Sequence, residues 1–502
     1  MAEATISRNP FRARADAPVA LITITVMLGL IMAIIDTTIV NVALNDIGGN
    51  LGASIDEVSW VATGYILATV IVMPLNGWLT AYLGRKAFYA GSLALFTVSS
   101  FLCGTAHSIW QLVFYRVIQG FGGGALQPTA QAILFETYPP EKRGAAMAIF
   151  GMGAMVGPAI GPTLGGWIVD NYTWPLIFYI NVPIGIAAFL MTLMFIPNPH
   201  FLQKPKSGID WVGLGLLSAG LASLQYVLER GQHDDWYSSS TIWTLTIVAI
   251  VGLTWFILKT IRKRDPLVDL NVFKYRTFTI GNIVGIVAGF GLFGTALILP
   301  LYFQSVLGFT AFETGMVLLP GALATAVSML IVGRLTGRVD ARLLVGIGML
   351  IFGVATWWMG FLNQYAGYWD VFWPRLVQGF GLGFLFVPLT TATLAAVPRQ
   401  ELAGATGVST LLRQLGGSLG IAILTTLLAR ETAIAWNELA SGVTNTHGYS
   451  VSQLTNIVAV SASVISYDYL LRLCGIIFFV TAPLLIFMRP SRRAAAAAMA
   501  AD

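Results

Sequence analysis

Two charged side chains lie where charge is expensive. Asp36 sits inside the apolar run LITITVMLGLIMAIIDTTIVNVAL, and Arg116 sits inside QLVFYRVIQGFGGGAL. A charge at the centre of a bilayer costs about 2.5–3.5 kcal/mol on insertion scales, so each one present asks for a reason. Few others share that setting: Arg375 and Arg413 within apolar runs, Glu136 and Glu313 near the ends of such runs. The four histidines, His107, His200, His233 and His447, all fall between the runs. A proton carrier within the runs must therefore be a carboxylate, and Asp36 is the candidate. Burial disfavours a charged carboxylate and a neighbouring guanidinium favours it; a group balanced between the two can load and lose a proton near neutral pH. The alternative is a permanent structural ion pair.

Arg116, Gly120 and Gly124 share one i, i+4 row of a helix, with Gln119 on the adjacent face. Arg375, Gly379 and Gly383 repeat the pattern. Small residues let a neighbouring helix approach closely, while the arginine points into a polar interior. Arg116 is placed to sense the ionisation of Asp36 if the two side chains meet, which the sequence alone leaves open; Arg375 reads as structural. Further on, GMGAMVGPAIGPTLGGW carries Gly153, Gly157, Gly161 and Gly165 with period four, interrupted by Pro158 and Pro162. Prolines bend a helix, and the glycines permit close packing along the bend. The corresponding stretch later in the chain, LLRQLGGSLGIAI, has no proline.

What must position these residues follows from composition. Only 10% of the residues are charged and 56% are hydrophobic, against about 25% charged in ordinary soluble domains, and the mean hydropathy is +0.76. Apolar spans are expected at roughly 18–42, 58–82, 87–106, 110–135, 144–168, 175–196, 209–228, 241–258, 278–302, 314–333, 343–362, 371–395, 404–429 and 467–488. That is an all-α integral membrane protein with about fourteen transmembrane helices. A strand barrel would show alternating segments of about ten residues instead. The net charge of +5 reflects basic loops, a topology signal and not a nucleic-acid surface. With the N-terminal tail inside, 22 lysines and arginines fall in inner segments and three (Arg230, Arg430, Arg472) on the outer side, so both termini are expected to be cytoplasmic. The polar, basic N-terminal stretch is not expected to be a cleavable signal peptide. Cys103 and Cys474 lie far apart within spans and build neither a disulfide framework nor a metal site.

The chain also resembles itself. RVIQGFGGG at Arg116–Gly124 recurs as RLVQGFGLG at Arg375–Gly383, an offset of 259, and GWLTAYLGRK at Gly77–Lys86 recurs weakly as GRLTGRVDAR at Gly333–Arg342. Parallel repeats of this kind are expected in transporters. The expected organisation is a cytoplasmic tail over 1–17, a six-helix bundle over 18–196, two additional central spans with basic linkers over 197–277, a second six-helix bundle over 278–488 and a tail over 489–502.

These motifs in this order resemble the major facilitator superfamily. The Gly–Pro stripe resembles its antiporter motif, and Gly77, Gly84, Arg85 and Lys86 match its cytoplasmic loop motif. DTTIVNVAL after Asp36 and the extra central pair resemble the fourteen-span drug:proton antiporter branch. DNYTWPLIFYINVPIG and VDLNVFKYRTFTIGN resemble its Emr-type multidrug exporters. The loop motif departs from the family at Ala81, where an aspartate is usual; Arg85 and Lys86 are accordingly expected to act as topology determinants only. The resemblance implies efflux of lipophilic small molecules across the bacterial inner membrane by alternating access. The proton gradient would drive it, with no cofactor and no metal, and an uptake symporter is the alternative. No Walker sequence and no histidine or paired-acid cluster within a span suggests an enzyme. It further implies a periplasmic adaptor protein and an outer-membrane channel as partners, for which the segment 431–466, expected to be the longest outer loop, is the candidate contact.

Overall fold

The computed structural model describes residues 18–199, 204–205, 208–263, 265–443 and 450–488. The tails 1–17 and 489–502, with the arginines on which their sidedness rests, lie outside the described residues. The described chain is helical, with no β-strand among the described residues.

Among the described residues, thirteen helical segments are long and apolar enough to cross a membrane. They are α1 Val19–Leu51, α2 Ile55–Leu83, α3 Arg85–Gly104, α5 Pro140–Asn171, α6 Leu176–Phe195, α7 Trp211–Arg230 and α8 Ser240–Ile261. The second half supplies α9 Arg276–Ser305, α10 Phe312–Leu335, α11 Ala341–Met359, α12 Tyr368–Ala395, α13 Leu402–Ser441 and α14 Val451–Phe487. A further helix, α4 Ile109–Thr137, has 29 residues, about 43 Å at 1.5 Å per residue, and brings the number to fourteen. It is less apolar because it carries Arg116, Gln119, Gln127 and Gln131, of which Arg116, Gln119 and Gln131 are buried.

Local chemistry sets the helix starts. Ser54 and Glu57 form a reciprocal capping box at α2, and Ser450 and Gln453 form another at α14. Thr310 and Glu313 do the same at α10. Glu313, a charge near a span end, is thus a capping residue. Gly84, between α2 and α3, has φ of +86°, a conformation glycine adopts without the Cβ penalty. The Lys86 N–H, two residues on, donates to Asn198 Oδ1 at 2.9 Å.

Helices α1 to α6 pack among themselves, as do α9 to α14. The two groups meet at their cytoplasmic ends. Asn76 Nδ2 donates to the Ala403 carbonyl at 2.8 Å, and Thr129 Oγ1 donates to Asn76 Oδ1 at 2.6 Å. Gly77 lies so close to Gly404 that a Cβ would stand 2.6 Å from its Cα. Gly144 meets Thr336 and the Gly333 carbonyl in the same way, and Phe150 stacks on Phe386 with centroids 6.4 Å apart. The added pair packs as a hairpin, with α7 lodged between α2 and α13. Gln225 donates to Ser418 at 2.7 Å, Trp236 Nε1 donates to Thr426 Oγ1 at 2.9 Å, and Arg230 bonds Ser59.

One expectation is overturned. Residues 431–466 are not a long polar loop: α13 runs unbroken to Ser441 and the next helix begins at Val451. ETAIAWNELAS contains neither glycine nor proline, and apolar residues at helical spacing (Ala435, Leu439; Ile457, Val460, Val464) carry both helices past the expected ends.

Candidate functional site: a buried carboxylate between three helices

Asp36 lies about 26 Å along α1 from Val19 and is fully buried. Its Oδ2 accepts from Arg116 Nη1 at 2.5 Å. Its Oδ1 accepts from Gln119 Nε2 at 3.0 Å and from Asn181 Nδ2 at 2.8 Å. The carboxylate therefore ties together α1, α4 and α6. Every donor has a second partner. Arg116 Nε donates to the Val61 carbonyl at 3.2 Å, its Nη1 donates to Gln119 Oε1 at 2.7 Å, and its guanidinium lies 4.2 Å from the centre of the Tyr65 ring. Asn181 Nδ2 also reaches Ser100 Oγ at 3.1 Å, which donates to the Phe178 carbonyl at 2.9 Å. Arg116, Gln119, Asn181 and Ser100 are each at most 1% exposed.

Burying an ion pair forfeits hydration on both sides, and only good geometry with further hydrogen bonds offsets the loss. Here both conditions are met. The arrangement can do one piece of chemistry: a proton arriving on Asp36 neutralises the carboxylate, while Arg116 keeps the Val61 carbonyl, Gln119 and Tyr65. The link between helices would weaken, and Arg116 would keep polar partners but lose its counter-ion.

The glycine stripe of α5 lies along α1. A Cβ on Gly157 would stand 2.9 Å from the backbone carbonyl of Ile34, one on Gly161 2.8 Å from Thr38 Cβ, and one on Gly165 2.8 Å from Ile39 Cγ1. Gly153 abuts Met27, and Thr38 Oγ1 donates to the Gly157 carbonyl at 3.1 Å. Pro162 lies in the same helix, exposed; Pro158 does too, but its side chain lies outside the described residues. Gly120 and Gly124 face α2, where a Cβ would meet Ala68 Cβ at 2.8 Å and the Thr69 carbonyl at 2.6 Å. The structure therefore packs the α5 glycines on the helix that carries Asp36 and the α4 glycines on α2. The loop-motif residues lie apart from both, at the cytoplasmic end.

There Arg85 is more than a topology charge. It is buried, and its Nη2 lies 2.8 Å from Glu136 on α4. With Ala81 unable to serve, Glu136 supplies the carboxylate from another helix. Lys86 remains at the helix start with its backbone on Asn198.

The second half repeats the arginine and the glutamine but not the acid. Arg375 bonds Gln378, whose Nε2 donates to Thr356 at 2.9 Å. The residue 259 positions after Asp36 is Thr295. Asn181, Ser100 and Tyr65 are not singled out by sequence reasoning, and Glu136 is noted only as a charge near a span end; Asn181, the one polar residue in the apolar stretch LIFYINVPIGIAAFL, is the signal that could have found the site's third helix.

A membrane protein built of fourteen helices, with two interlocked groups of six and a buried charge cluster in one of them, has the architecture of a secondary transporter. The chain belongs to the Major Facilitator Superfamily, whose model matches residues 26–421. It is similar to the multidrug export protein EmrB of Escherichia coli K12, 38% identical over 85% of this chain and 83% of that protein. The fatty acid resistance protein FarB of Neisseria gonorrhoeae is 36% identical over 85% and 84%. The colistin resistance protein EmrB of Acinetobacter baumannii is 30% identical over 92% and 94%. The crystal structure of the human organic anion transporter MFSD10 superposes with a TM-score of 0.62 at 14% identity, covering 93% of this chain and 99% of that one, a likeness of fold. The chain is a multi-pass protein of the bacterial inner membrane, of Emr type.

Proposed function

We propose that this protein is a proton-coupled exporter, a drug:proton antiporter that moves hydrophobic or amphipathic compounds out across the inner membrane by alternating access. The observation that carries this reading is the Asp36 carboxylate, buried and held by donors from two other helices. Ionised, Asp36 draws α4 and α6 onto α1. Protonated from the outer side, it releases part of that hold. Because α5 lies against α1 along the glycine stripe, movement of α1 is passed to α5 and on to the cytoplasmic contact of Gly144 with α10. Substrate release outside would accompany protonation, and substrate capture inside would accompany proton loss. One proton moving inward supplies about 2.3 kcal/mol per 100 mV, so no nucleotide is required. The relatives' names, which speak of multidrug export and of resistance to fatty acids and colistin, support this substrate class, and a carrier in preference to an enzyme. The ends of α13 and α14 beyond the expected spans offer the place where a periplasmic adaptor and its outer-membrane channel would engage.

The test is reconstitution into liposomes with an imposed pH gradient and a lipophilic dye. The wild-type protein moves dye only while the gradient lasts, and Asp36→Asn binds dye but does not accumulate it. Full gradient-driven accumulation by Asp36→Asn refutes the assignment.

A further inference from the structure

The C-terminal half carries a second arginine within its spans, Arg413, which is half-buried like Arg375. Arg413 on α13 makes no ion pair with any described acidic residue. Its Nη2 is shielded from solvent without a hydrogen-bond partner, and its guanidinium lies 5.2 Å from the Phe386 ring centre. Arginine does not lose its proton in proteins, so the charge stays. A guanidinium with a shielded, unpartnered nitrogen and no anion beside it is costly, and the described residues around it do not supply that anion.

They supply a cavity instead. Arg413 lines a small space, about 30 Å³, with Gln131 from α4, Asn282 from α9, Thr393 from α12 and Ser409 from α13. The hydroxyls of Thr393 and Ser409 and the Oε1 of Gln131 are also shielded and unpartnered. Two hydroxyls and one guanidinium nitrogen, each without a partner, thus belong to residues that line one space, and the amide of Gln131 offers a further donor if turned over. Gly281, Gly285, Leu389 and Leu394 form the apolar remainder of the wall. The cavity lies in the cytoplasmic half of the membrane, since Gln131 is six residues before the inner end of α4 and Asn282 six after the inner start of α9. It is lined from both halves of the molecule, where a gate that opens inward would expose it.

We propose that this cavity is the head-group subsite for an amphipathic carboxylate taken from the cytoplasmic side. Arg413 pairs the carboxylate through two parallel N–H bonds, Ser409 and Thr393 donate to it, and the tail lies along the leucines. A space this small takes a carboxylate and not a whole drug-sized molecule, for which pockets run to about 300–1,000 Å³. This rests on the export reading for its purpose, but binding itself needs no gradient.

The experiment measures equilibrium binding of dansyl-undecanoic acid and of its uncharged amide to the purified full-length protein, by dansyl fluorescence. The wild-type protein binds the acid more tightly than the amide. Arg413→Gln weakens the acid by about tenfold or more, the scale of a lost charged hydrogen bond, and leaves the amide within about twofold. Arg413→Lys, which keeps the charge, retains binding of the acid at an intermediate level. Equal weakening of both probes assigns Arg413 a structural role and overturns the proposal. So does unchanged binding of the acid, or displacement of the acid by an equal concentration of phosphatidylglycerol, which gives the site to resident lipid. A protein that binds the acid as described yet moves nothing under a gradient refutes the export reading alone.

Discussion

Replacing Gly157 with alanine places one methyl group at the crossing of α5 and α1. That Cβ would stand 2.9 Å from the carbonyl carbon and oxygen of Ile34. Relaxed carbon contacts lie near 3.5 Å or beyond, so α1 must recede by about 0.6 Å. The Ile34 side chain also meets the new methyl, and a rotamer change relieves only that part. Asp36 lies two residues on, in the same helix. Moved with Ile34, it stretches the bond from Gln119, now 3.0 Å, to about 3.6 Å, past the hydrogen-bond limit. Overpacking costs about 1–3 kcal/mol, and a hydrogen bond to a charged group is worth about 1.5–3 kcal/mol. Gly166 in the same helix has nothing within 4 Å of its Cβ position and is the matched control. The assay pairs gradient-driven dye transport in liposomes with thermal unfolding in detergent. Gly157→Ala lowers transport by about tenfold or more and lowers the melting temperature, while Gly166→Ala stays close to wild type. If the two variants melt and transport alike, α5 does not act on Asp36 through this contact.

Glu136→Gln leaves Arg85 buried without its carboxylate and costs about 3–5 kcal/mol. Adding Arg85→Gln recovers part of that loss, and strictly additive melting shifts across the four proteins would contradict the pairing. At the start of α7, burial pushes the Asp210 carboxyl up. Bonds from Lys259 Nζ at 2.7 Å, from the Gly213 N–H at 2.9 Å and from Lys263 outweigh it and hold the pKa below its ordinary value. A depressed folded-state pKa gives stability that is present above the unfolded value near 4 and lost as pH falls through the folded one. Wild type therefore melts above Asp210→Asn at pH 7, with the gap narrowing below about pH 4; a gap constant down to pH 3 would contradict this.

The membrane helices are legible because long apolar runs interrupted by basic loops suit few architectures besides a helical bundle in a bilayer. Asp36 and Arg116 are conspicuous for the same reason, being charges where charge is costly. Asn181 is not, because a single amide in an apolar helix has several ordinary roles, and only the packing of α6 on α1 brings it to Oδ1 at 2.8 Å. The role of Arg85 is hidden because the loop motif places its partner nearby in sequence, whereas Glu136 lies 51 positions along the chain. The outer ends of α13 and α14 escape a reading based on bilayer thickness, since helix formation continues wherever glycine and proline are absent and apolar spacing persists, inside the membrane or beyond it.

The most direct test of Asp36 as the proton carrier counts protons without any membrane. Purified protein in weakly buffered detergent solution near neutral pH is mixed with a non-titrating lipophilic cation, and a pH indicator reports the exchange. If Asp36 carries the coupled proton, the wild-type protein releases protons as the cation binds, and Asp36→Asn binds the cation with no release. Release from Asp36→Asn equal to that of the wild type would mean that the proton comes from another group.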